Sequence, residues 1–94
     1  MPYYVYILQS EMDQTFYKGF TENPLKRLEQ HNAGEMNYTS KKIPWEIVCL
    51  INIETKKDAL IAEKKVKKYD HTRLKSLIIS EKNILNNFLS STVG

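Results

Sequence analysis

Ninety-four residues with a net charge of +3 bound one small domain with room for a single sheet and a few helices. No apolar run approaches the ~18 residues of a membrane span. A lone cysteine and three scattered glycines, Gly19, Gly34 and Gly94, exclude an internal disulfide, a cysteine zinc site and a phosphate-cradling glycine loop. No small-molecule cofactor is expected, and the lack of a basic and apolar leader points to a cytoplasmic protein.

Two short runs open the chain. Tyr3 to Leu8 and Thr15 to Phe20 are rich in aromatic and β-branched residues and read as strands, with the polar stretch Gln9 to Gln14 as the hairpin loop between them. Side chains alternate along a strand, so Tyr4, Tyr6 and Leu8 share one face, and Tyr17 and Gly19 share a face of the partner. A glycine inside a strand marks a bulge or a place where another group approaches the backbone closely. From these two runs alone, half-buried sheet aromatics are the better reading of Tyr6 and Tyr17.

Asn23 before Pro24 is an N-cap followed by proline at the first helical position, and Gly34 follows the last periodic residue, so a helix is expected between them. Leu25, Leu28 and Asn32 cluster on one face, with Arg27 and His31 one turn apart on its flank. Gly34 to Pro44 reads as a loop in which Tyr38, Thr39, Ser40, Lys41 and Lys42 offer hydroxyl and ammonium groups suited to phosphate contacts.

Strand three is expected from Trp45 to Ile53, with Cys49 as a small buried thiol. Thr55-Lys56-Lys57-Asp58 resembles a capping box with Asp in place of Glu and opens a helix reaching about Tyr69. Ala59, Leu60, Ala62, Val66 and Tyr69 form its apolar arc, while Lys64, Lys65 and Lys68 fall on the opposite side. Glu63 stands about 40° from Ala59 at about 100° per residue, inside the apolar arc. An inward carboxylate is costly unless compensated. An i,i+4 pair with Lys67 is one compensation, and a ligand, a metal or a catalytic cleft is the other.

Charge is unevenly spread. From Lys56 to Lys75 eight basic residues stand against three acids, +5, which leaves −2 for the remainder. Such a stripe is the electrostatic footprint of a polyanion, and a solvated lysine-rich helix face has the same composition. Beyond it, Leu77 to Gly94 reads as a helical tail, with Ser80 a candidate N-cap for a final helix of about Glu81 to Leu89.

The ordered set Tyr4-Val5-Tyr6, Tyr17-Lys18-Gly19, Arg27, His31-Asn32 and Glu63 resembles the GIY-YIG nuclease domain, most closely its small single-domain UPF0213-like bacterial branch. Tyr38-Thr39, Pro44-Trp45, Asp58-Ala59-Leu60 and Lys64 support the resemblance, which covers about residues 3 to 79. It departs at Lys18, where the family prefers an aliphatic residue, and at the first motif, Tyr-Val-Tyr rather than Gly-Ile-Tyr. What it implies is an α+β fold: a three-stranded antiparallel sheet flanked by helices over residues 1–79, with a helical C-terminal tail over 80–94.

The resemblance also implies a reaction, cleavage of DNA phosphodiester bonds assisted by one divalent cation, Mg²⁺ or Mn²⁺. It assigns Tyr6 or Tyr17 to the deprotonation of water, Arg27 to the phosphate, Glu63 to the cation, and His31 and Asn32 to the lining of the site. Gly19, Lys18, Tyr38, Thr39, Lys41, Lys42, Lys64, Lys65 and Lys68 are the further candidates for contact with substrate. Since this length holds no separate DNA-binding domain, structure-specific or weakly sequence-specific cutting of branched or damaged DNA is expected, as in repair and recombination. A nucleic-acid-binding module of the same fold that has lost turnover is the alternative.

Overall fold

Burial on both faces explains the unbroken apolar run of the first strand. In the computed structural model, which describes residues 2–93, β1 (Tyr3–Ser10) lies between β2 (Phe16–Thr21) and β3 (Trp45–Ile53), antiparallel to both, in the order β2-β1-β3. Val5, Tyr6, Ile7 and Leu8 are all buried. Side chains of a central strand serve two cores in alternation. Val5 and Ile7 pack with Phe16, Cys49, Val66 and Leu74 on one face, and Tyr6 and Leu8 with Trp45 and Leu50 on the other. Burial pushes the Cys49 thiol up to about 12, so it is an inert core group.

Four helices cover the sheet: α1 (Pro24–Asn32), α2 (Lys56–Val66), α3 (His71–Ile78) and α4 (Leu85–Val93), with a 3₁₀ turn at Ser40–Lys42. The expected three-stranded α+β architecture is what the chain adopts. Asn23 Oδ1 accepts from the Lys26 N–H at 3.2 Å and Pro24 fills the first position of α1. At the other end Gly34 has φ 79°. The N–H groups of Gly34 and Glu35 return to the carbonyls of His31 and Gln30, the Schellman closure that a left-handed residue permits.

Several boundaries and faces differ from expectation. The inward stripe of α1 contains Pro24 and His31, while Leu25 is 42% exposed. His31, expected on the flank, is the most deeply buried side chain of the helix. The helix opened by Thr55 ends at Val66 rather than about Tyr69, because Asp70 caps a separate α3 through the Arg73 N–H at 2.9 Å. The basic segment is therefore two helices and a turn, not one stripe. Leu60, placed in the apolar arc, is 45% exposed; the inward positions of α2 are Ala59, Ala62 and Val66, at i, i+3 and i+7.

The tail also differs. Ser80 ends α3 by donating to the Leu77 carbonyl and caps nothing after it. Asn83 leads into the last helix, its Oδ1 accepting from the Leu85 N–H at 3.1 Å, and that helix starts four residues later than expected. The same side chain completes the edge of β3: Oδ1 accepts from the Leu50 N–H and Nδ2 donates to the Val48 and Ile78 carbonyls. Ile84, Leu85 and Phe88 then close the second core, with Phe88 edge-on to Tyr4 at 5.4 Å. With β3 occupied in this way, the free edge of the sheet is β2.

Candidate active site

A cleft of about 540 Å³ opens along the free edge of β2, and Tyr6, Tyr17, Gly19, Arg27 and Glu63 all line it. β1 supplies Tyr6, β2 supplies Tyr17 and Gly19, α1 supplies Arg27, and α2 supplies Glu63. Register sets the centre: Tyr6 pairs with Gly19. The phenol ring lies across that glycine, where a Cβ would stand 2.5 Å from the Tyr6 Oη and 2.7 Å from its Cζ. What approaches the glycine backbone closely is therefore the tyrosine itself.

Gly19→Ala is expected to push Tyr6 off its position, since a ring packed on all sides has no free rotamer to retreat to. Overpacking of this kind costs about 1–3 kcal/mol, which in a domain of this size lowers Tm by roughly 4 °C or more. A thermal melt checks it. An unchanged Tm would show that the ring swings away freely.

Behind Tyr6 lies a buried polar chain. Tyr6 Oη is 3.1 Å from His31 Nε2, and His31 Nδ1 is 2.8 Å from Thr39 Oγ1. Thr39 directs its hydroxyl to the Met36 carbonyl at 3.5 Å and is fully buried, with its own carbonyl accepting from the Trp45 indole. Burial, and after it the Arg27 guanidinium, lowers the His31 pKa, so the ring is neutral near pH 7. A neutral imidazole has one donor and one acceptor. With the Thr39 hydroxyl spent on a carbonyl, Nδ1–H donates to Thr39, and Nε2 is left to accept from the Tyr6 hydroxyl.

Tyr6 itself is shifted the other way. Burial first, and then the neighbouring Tyr17, raises its pKa far above the ordinary phenol value; Arg27 opposes this and Glu63 adds to it. In the free protein desolvation thus outweighs the guanidinium. Tyr17 is half-buried and sits edge-on to His31 at 5.0 Å and to Trp45 at 6.3 Å.

The depressed His31 pKa has a consequence for stability. The unfolded chain takes up this proton near the ordinary 6.5, while the folded chain resists it until lower pH. Stability from the neutral ring is therefore complete above pH ~6.5 and is lost as pH falls through the folded-state value. Tm should fall on acidification below pH 6.5 in wild type, and that portion of the slope should vanish in His31→Gln. Parallel Tm–pH curves for the two proteins would contradict it.

Glu63 lines the same cleft as Arg27, with its side chain 17% exposed and Lys67 Nζ 3.7 Å away. Among the described residues no group of three or more metal-ligating side chains occurs. A single carboxylate fits Mg²⁺, which retains several waters and takes one or two protein carboxylates together with substrate phosphate.

Other expected contacts lie elsewhere. Thr39 is buried, so it reaches no substrate. Asn32 is spent on the backbone of Trp45, donating to its carbonyl at 3.0 Å and accepting its N–H at 2.6 Å, so it ties α1 to β3. Lys42 holds Asp13 at 2.9 Å and Thr15 at 3.0 Å, and the hydrogen bonds from Thr15 and Lys42 keep the Asp13 carboxyl below the usual carboxylate range. Lys41, Lys64, Lys65 and Lys68 are exposed and line no wall of the cleft, whereas Lys26, Gln30 and Lys56 do line it. The spacing held a signal for Lys56, since it precedes Glu63 by two helical turns.

Residues 2–77 match the family model described as the GIY-YIG catalytic domain. The chain belongs to the GIY-YIG family. A UPF0213 protein of Lactococcus lactis is 35% identical to this GIY-YIG domain over 88 residues, covering 87% of the chain and 84% of the relative. The solution NMR structure of a UPF0213 protein from Bacillus halodurans superposes with a TM-score of 0.56 at 28% identity, covering 87% of each chain. A protein of Debaryomyces hansenii named structure-specific endonuclease subunit SLX1 is 39% identical over 102 residues; these cover 98% of the chain but 30% of that protein. Among the described residues no helix is long and apolar enough to cross a membrane.

Proposed function

We propose that this GIY-YIG domain is a divalent-metal-dependent endonuclease that hydrolyses phosphodiester bonds in branched or otherwise structured DNA of the kind met in repair and recombination. The observation that carries the reading is one cleft lined by a tyrosine backed by a buried histidine, an arginine and a carboxylate. The relative named a structure-specific endonuclease subunit supports the substrate class.

Hydrolysis needs a proton acceptor for water, charge compensation on the phosphoryl oxygens and a stabilised leaving alkoxide. In this reading Tyr6 Oη accepts the proton of the attacking water while passing its own to His31 Nε2. No buried phenolate has to exist beforehand. Thr39 fixes the His31 tautomer so that Nε2 remains the acceptor. Arg27 offers a planar fork to two phosphate oxygens. Glu63 would hold the cation, which when bound polarises the phosphoryl oxygens and compensates the charge that develops there. Tyr17 packs His31 in place.

The test is cleavage of flapped, branched, nicked and plain duplexes with Mg²⁺ and with Mn²⁺. Cutting of the structured substrates in the presence of either ion is expected. No cleavage of any of them would reject the nuclease reading.

A further inference from the structure

Beside the cleft, on the same free edge of β2, lies a second and smaller groove of about 210 Å³ lined by Phe16, Tyr17, Lys18, Tyr38 and Lys67. Its outer wall is Tyr38, which is 66% exposed although its neighbour Thr39 is fully buried. Tyr38 leans over Tyr17, with ring centroids 5.9 Å apart and planes 36° from parallel. A large aromatic left this open holds apolar area in water that a planar partner would remove.

Two cations flank this aromatic wall. Lys18 follows Tyr17 along β2, and its presence in the groove accounts for a cation where the family prefers an aliphatic residue. Lys67 is 53% exposed and joins groove to cleft through its 3.7 Å contact with Glu63. Tyr17 belongs to both walls. Since Tyr17 and the Lys67–Glu63 contact are common to both, an occupant of the groove neighbours the cleft in which Arg27 and Glu63 stand.

A planar aromatic face with ammonium groups at its rim matches one ligand chemistry well: a nucleobase attached to its phosphates. Bases inside a duplex are already stacked and present only their edges. A base offered face-on to Tyr38 must be unpaired. We infer that the Tyr17–Tyr38 groove is a stacking subsite for one unpaired nucleotide next to the scissile phosphate, so that the domain selects DNA carrying a single-stranded branch. This rests on the nuclease reading above, and it gives Tyr38 a stacking role in place of the phosphate contact its hydroxyl suggests.

The experiment compares affinity in EDTA for a flapped duplex and a blunt duplex of matched sequence, in wild type, Tyr38→Ala and Tyr38→Phe. Base stacking on an aromatic side chain corresponds to roughly 5- to 150-fold in affinity. Tyr38→Ala should lose that factor for the flap and leave blunt-duplex affinity unchanged, while Tyr38→Phe retains flap affinity because the ring is kept. Removing the base from the first unpaired nucleotide should weaken wild type by the same factor and cause no further loss in Tyr38→Ala. Equal losses on flap and blunt duplex, or none on either, would overturn the stacking subsite while leaving the nuclease reading intact. Wild type that binds neither DNA at any salt concentration would overturn both.

Discussion

Glu63→Gln should abolish metal-supported cleavage while leaving the domain folded. Glutamine keeps the shape of the side chain but replaces a charged oxygen with an amide, a far poorer ligand for a hard dication. Charge stabilisation by a bound cation is a contribution of several kcal/mol, so a fall of about 10³-fold in turnover is expected at ~1.4 kcal/mol per decade.

The fold should tolerate the change. Glu63 makes one long contact, 3.7 Å to Lys67, and its side chain is only 17% exposed, so the variant removes a poorly compensated carboxylate. Mg²⁺ should raise the Tm of wild type and leave the variant where it was. Binding to DNA in EDTA should hold or rise, one negative charge having left a phosphate-facing wall. If wild type cuts nothing and the variant is several kcal/mol less stable, Glu63 is an ion-pair partner of Lys67 and the domain is a binding module without turnover.

Arg27→Lys should cost about two orders of magnitude in kcat even though the charge is retained. Arg27 is half-buried beside both Tyr6 and His31, near enough to lower the pKa of each. At that position a guanidinium presents two parallel N–H groups to a phosphate, and an ammonium presents a point charge. Loss of one preorganised electrostatic contact in the transition state is worth about 10²–10³-fold. The measurement is single-turnover cleavage with saturating enzyme, which separates turnover from binding. Near-normal turnover in the lysine variant would mean that the guanidinium fork makes no transition-state contact.

Much of this domain is legible before any coordinates are seen, and the reason is locality. The period-2 alternation of Tyr4, Tyr6 and Leu8, the Asn23-Pro24 start and the Gly34 stop of α1, and the Thr55 cap of α2 are decided within a few residues of chain. Each appears where the pattern put it. The inward position of Glu63 is legible for the same reason, because helical periodicity alone places it near Ala59 and Val66. Element ends are read less well. α2 stops at Val66 because the Asp70 side chain starts a new helix, and an apolar arc drawn through Tyr69 hides that break.

Which side chains meet is decided between elements. Tyr6 and His31 are twenty-five residues apart, and only the packing of α1 on the sheet brings Oη to Nε2. Thr39 reaches the same histidine from a loop whose composition suggests solvent, and Asn83 reaches Leu50 and Val48 from a tail whose pattern suggests a later helix already under way. The sequence by itself determined three strands, the capped starts of α1 and α2 and an acid turned inward, since these follow from dihedral preference and periodicity. Only the tertiary structure decided that Gly19 is a seat for the Tyr6 ring, that His31 is buried and neutral behind it, and that burial rather than charge governs the Tyr6 hydroxyl. Desolvation depends on what covers a group from every direction, and no short stretch of chain records that.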